Sequence, residues 1–184
     1  GEGERQILPE DSLILVRTRS AVVSALVRAL KEREVPVATL VRTSLADQIA
    51  VRDLMTLCEA LLLPQDDLTL ACVLTSPLGG VSDESLMHLA MDRGGQPLWT
   101  TLRARHAERA DWRAAWLMLN SLFARVDYAS PHLILSSVLG EFGGRARLLS
   151  RLGPEASEPV DELLSAALRY EEANTPSLQG LVYW

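Results

Sequence analysis

Metal binding and nucleophilic catalysis draw on His, Cys, Asp, Glu and Ser at particular spacings, and this 184-residue chain offers few such arrangements. His88, His106 and His132 lie far apart, and neither Cys58 nor Cys72 stands at a spacing that zinc ligation uses. No G-x-S-x-G element lifts a serine onto a sharp turn, so a Ser–His–Asp hydrolase has no local signal. Asp66-Asp67 is an acidic pair of the kind that holds a divalent cation, yet after Leu63-Pro64-Gln65 both acids suit helix capping. The glycine pairs at 79–80, 94–95 and 143–144 lack a G-x-G-x-x-G frame and read as helix stops and tight turns. Lys31, the only lysine beside seventeen arginines, follows Leu30 rather than a glycine. The chain therefore has no Walker A loop and cannot build that nucleotide site alone. No catalytic constellation, metal site or cofactor site is expected within it.

Two segments carry the chemistry of anion contact. Arg17-Thr18-Arg19 closes a strand-like run, and open parallel sheets place ligands at the carboxyl ends of their strands. Two guanidiniums and a hydroxyl suit phosphate oxygens; the alternative is a loop of solvated arginines. Ser76-Pro77-Leu78-Gly79-Gly80-Val81-Ser82 joins two short helices. The amides of Gly79 and Gly80, with Ser82 opening a helix, can face a duplex phosphate; plain chain reversal is the alternative.

The elements that position these segments follow from periodicity. Ser12–Val16 and Val35–Leu40 have the branching and length of buried strands, with an amphipathic helix over Ala21–Glu34 between them. Strand, helix, strand predicts a small parallel βαβ unit, and two strands alone need further sheet from outside the chain. From Ser44 onward the pattern is helical. Ser44 with Asp47 resembles a capping box, Asp66 caps a helix from Asp67 to Leu74, and Ser82 caps one from Asp83 to Arg93 that Gly94 stops. Pro97, Pro131, Pro159 and Pro176 each mark an expected first helical position. Trp112, Trp116, Leu119 and Phe123 share one helix face and read as core. The fold class expected is mainly α with a small α/β portion.

Composition bounds the rest. With 48% hydrophobic residues and no apolar stretch near the ~20 residues of a membrane span, the expectation is a soluble, globular, cytoplasmic chain without a membrane partner. Two cysteines in apolar helical patterns fit a reducing compartment. The net charge of −6 hides an asymmetry. Residues 93–151 hold nine basic and four acidic groups, while both flanks are acidic. That stretch is either a solvated helical surface or a local phosphate contact.

The order of segments resembles UvrD/Rep-like DNA helicases between their motifs IV and V. The resemblance is carried by Leu13-Ile14-Leu15-Val16-Arg17-Thr18, Val35-Pro36-Val37, Ile49-Ala50-Val51-Arg52-Asp53-Leu54, Leu63-Pro64-Gln65-Asp66-Asp67-Leu68 and the Pro77–Ser82 hairpin. Leu152-Gly153-Pro154-Glu155-Ala156, Asp161-Glu162-Leu163-Leu164, Tyr170-Glu171 and Pro176-Ser177-Leu178-Gln179-Gly180 resemble the AddA branch, the helicase–nuclease subunit of AddAB break-repair machines. The resemblance implies an internal fragment of an ATP- and Mg-dependent helicase. Residues 1–42 would belong to its second RecA-like motor domain (2A), and 43–184 to its helical accessory domain (2B). It implies DNA, single-stranded and duplex, and an AddB-like nuclease subunit as partners, with Arg17 facing single-stranded DNA beside Thr18 and Arg19. Arg19 stands where relatives often have Asn, and Leu78 and Gly79 stand where their hairpin often has basic residues. The alternative function is a helical protein-interaction module without DNA contact.

Overall fold

The structure is a computed structural model that describes residues 8–15, 21–37, 44–91 and 93–184. The chain divides into two compact units, Gly1–Arg42 and Thr43–Trp184.

In the first unit, α1 (Ala21–Lys31) forms where the apolar stripe predicts it and closes in a turn in which Glu34 takes a left-handed φ of 59°. The expected βαβ is corrected here: the described parts of both predicted strands, Ser12–Leu15 and Val35–Val37, belong to no sheet. Branched apolar residues favour a pleated surface only when a neighbouring strand supplies hydrogen bonds and packing, and none is present among the described residues. Leu13 and Leu15 stay 80% and 84% exposed, and no described side chain of this unit is fully buried. The α/β portion is thus absent from the described residues, and the fold is helical.

Among its described residues the second unit packs nine helices around one core: α2 (Ile49–Leu62), α3 (Asp67–Thr75), α4 (Asp83–Ala90), α5 (Leu98–Arg105), α6 (Ala110–Phe123), α7 (Pro131–Leu139), α8 (Gly144–Leu152), α9 (Ser157–Ala173) and α10 (Leu178–Tyr183). Helix α2 buries Leu54, Leu57, Cys58 and Leu61 and packs against α3, α6, α9 and α10. Burial pushes the Cys58 thiol up to about 12, so it is an inert core side chain, whereas Cys72 is exposed. Trp112 and Leu119 are buried in α6, with Trp116 and Phe123 packed against the same core. Among the described residues no helix is long and apolar enough to cross a membrane.

Local signals set several helix ends. Asp66 accepts the amide hydrogens of Leu68 and Thr69, Ser82 that of Ser85, and Ser130 that of Leu133 ahead of Pro131 at the first helical position. Other signals fail. Ser44 makes no side-chain cap and precedes only a short 3-10 turn, so α2 opens after Gln48. Helix α4 ends at Ala90, before the left-handed Gly94. Pro97 is the cap residue of α5, Pro159 lies inside the first turn of α9, and Pro176 precedes the cap of α10.

Asp67 joins distant elements instead of capping its own helix. Its carboxylate accepts the amide hydrogen of Leu98 at 2.7 Å, tying the start of α5 to α3, and also takes the Arg93 guanidinium. Burial alone would raise its pKa, but the Leu98 amide and Arg93 outweigh it and hold the carboxyl below its usual range. A depressed folded-state pKa gives stability that is present above the unfolded value of 3.8 and is lost as pH falls through the lower folded value. Asp67→Ala is expected to lose about 1–2 kcal/mol at neutral pH. The gap between variant and wild type should narrow progressively in urea titrations as pH falls below 3.8, because the wild type then loses the same bonds. A gap independent of pH would remove this role for Asp67.

Candidate nucleic-acid interface

The turn from Ser76 to Ser82 forms one wall of a groove of about 710 Å³, and α8 forms the other. Local sequence explains the turn. Leu78 is buried and lies where a side chain on Gly144 would touch it, so it anchors the turn to the start of α8. Gly79 is buried so tightly that a Cβ would overlap the carbonyl oxygens of Val73 and Leu74. Gly80, at φ 68°, takes a left-handed conformation that side chains disfavour and faces solvent. On the other wall, Gly143 at φ 67° starts α8, and Gly153 at φ 94° follows it. Leu148 turns inward, leaving Arg147 and Arg151, one helical turn apart, to line the groove.

The amides at the middle of the turn are already taken up. Those of Gly79 and Gly80 both donate to the Ser76 carbonyl, at 3.1 and 2.9 Å, and that of Val81 donates to the Leu74 carbonyl at 2.9 Å. Ser82 Oγ accepts the Ser85 amide at 3.2 Å. The structure thus brings Gly80 and Ser82 to the groove and places Gly79 behind its wall. Arg17, Thr18 and Arg19 lie outside the described residues.

The cationic donors that face the groove were not singled out from sequence. Nη2 of Arg147 donates to the Phe142 carbonyl at 2.9 Å, which fixes the plane of the guanidinium, and its Nε is buried without a partner among the described residues. Burial draws its pKa below the ordinary arginine value, yet an arginine stays charged. Arg151 is exposed and, like Arg147, pairs with no carboxylate among the described residues. Asp83, at the start of α4, is the acidic side chain on the turn side.

Five of the nine arginines in the positive stretch 93–151 are neutralised by carboxylates within the fold. Arg93 pairs with Asp67, Arg105 with Glu108, Arg109 with Asp111, Arg125 with Glu141 and Arg145 with Asp161. Of its nine arginines, Arg103, Arg113, Arg147 and Arg151 make no ion pair among the described residues. Only the last two line this groove. The signal available in sequence was their i, i+4 spacing after a glycine pair. Among the described residues no group of three His, Cys, Asp or Glu side chains is placed to hold a metal ion. What the arrangement offers is anion binding. No protein-family model matches the sequence, and no curated protein matches it.

Proposed function

We propose that the chain is a non-catalytic accessory module of a larger ATP-dependent DNA helicase–exonuclease of the AddA type, used in double-strand break repair, and that it positions DNA. One observation carries this reading: the turn singled out for phosphate contact shares a groove with two arginines that have no carboxylate partner among the described residues. Five other arginines in the same stretch are paired with carboxylates, and Arg103 and Arg113, which make no ion pair among the described residues, do not line this groove. A pair left over on one helix face suits an external anion. The exposed Leu13, Ile14 and Leu15 support a fragment, because such a run gains burial once a parent enzyme supplies neighbouring strands. In that parent, ATP and Mg would act at sites outside this chain, and Arg17 would face single-stranded DNA.

A binding titration tests the reading. The chain is expected to shift forked or single-stranded DNA at ~50 mM salt, where phosphate contacts are strongest, and to release it as salt rises. No shift on either substrate removes direct DNA positioning. A second reading, docking of a partner such as an AddB-like nuclease subunit without DNA contact, is favoured by a different surface. A groove of about 510 Å³ lies between the end of α2 and the start of α10, beside the exposed side chains of Leu62 and Tyr128.

A further inference from the structure

We propose that α8, rather than the 76–82 turn, makes the nucleic-acid contact: Arg147 and Arg151 hold a backbone phosphate between them and read no base. The inference rests on the DNA-positioning reading and assigns the chemistry within that groove. Hydrogen-bond accounting excludes the amides of Gly79, Gly80 and Val81, which all donate to carbonyls of Ser76 or Leu74. Asp83 on the same wall repels an anion from the start of α4 and moves the favourable position toward α8.

The α8 wall has the opposite character. The Phe142 carbonyl and Met118 sulfur already hold Nη2 of Arg147, so little side-chain freedom is lost when its Nη1 meets a phosphate oxygen. Arg151 stands one turn further along and has no carboxylate to leave among the described residues. Among the described residues no aromatic ring lines the groove, so a base has nothing there to stack on. A guanidinium pair flanked by the small side chains of Ser150 and Ala146 fits the sugar–phosphate backbone, whatever the sequence.

The test is fluorescence anisotropy of the full chain on two duplexes of unrelated sequence across a salt series. Arg151→Ala is expected to weaken both by the same factor, about three- to tenfold at ~50 mM salt, and to lower the salt slope by about one. Arg147→Lys should also lose affinity, because one ammonium cannot serve the Phe142 carbonyl and a phosphate in the fork geometry of arginine. Arg169→Ala, which removes an exposed residue paired with Glu162 on α9, should keep the wild-type slope. Arg147→Ala removes the Phe142 tether and can disturb folding, so the exposed Arg151 carries the test. An unchanged slope for Arg151→Ala on DNA that the wild type binds overturns the α8 contact and leaves the DNA reading standing. Unequal losses on the two duplexes overturn it as well, by revealing base readout. A wild-type chain that binds no DNA overturns both.

Discussion

Trp112→Ala is expected to destabilise the fold by about 3–5 kcal/mol. The indole is 1% exposed on the inner face of α6, which packs against α2 and α5. Its removal deletes a large apolar surface and leaves a cavity that helices on several sides cannot collapse into together. The Arg105 and Arg109 guanidiniums sit 5.1 and 5.6 Å from the ring centroid, and their cation–π contacts disappear too. Against the 5–15 kcal/mol typical of natural domains, roughly half of the margin would go. Urea unfolding followed by far-UV circular dichroism measures the loss without depending on the deleted fluorophore. Trp112→Phe should lose distinctly less, and a loss under about 1 kcal/mol for the alanine variant would mean that the site is not tightly packed.

Gly79→Ala should cost about 1–3 kcal/mol although it adds a single methyl group. The new Cβ would meet the Leu74 Cα and the carbonyl oxygens of Val73 and Leu74, all of them backbone at the end of α3 that no rotamer change can move. Either the turn or the last turn of α3 must shift, and the hydrogen bonds that the Gly79 and Val81 amides donate to the Ser76 and Leu74 carbonyls would stretch with it. Gly80→Ala provides the contrast. Nothing lies within 4 Å of a Cβ there, so its cost is limited to holding φ 68° with a side chain, about 1 kcal/mol. Thermal melts of the two variants should rank Gly79→Ala as the less stable; the reverse order would show that conformation rather than close approach governs the turn.

The glycine pair illustrates how far residue types reach. That a Gly-Gly turn lies between two short helices was readable from sequence, as were the caps at Asp66 and Ser82 and the start of α7 at Pro131, because each depends on hydrogen bonds within a few residues. Ser44 carried an equally good cap signature and makes no side-chain cap, since a propensity is outvoted once the following residues pack differently. The described parts of the strand-like runs Ser12–Val16 and Val35–Leu40 misled for a related reason. Their branched residues suit a sheet, but a sheet exists only where neighbouring strands are present.

The charges divide in the same way. The excess of arginine over residues 93–151 is plain in the sequence, but which guanidiniums stay available is not. Asp67 and Asp161 approach from outside the stretch to neutralise Arg93 and Arg145. Arg147 and Arg151 come to line a wall opposite the turn because buried Leu78 and the close-packed Gly144 draw α8 to it. Helix type, several caps and the turn were set by amino-acid order, since those preferences act over one or two helical turns. The pairing of acids with arginines and the making of the groove belong to the fold, since both arise from which helix faces the core forces together.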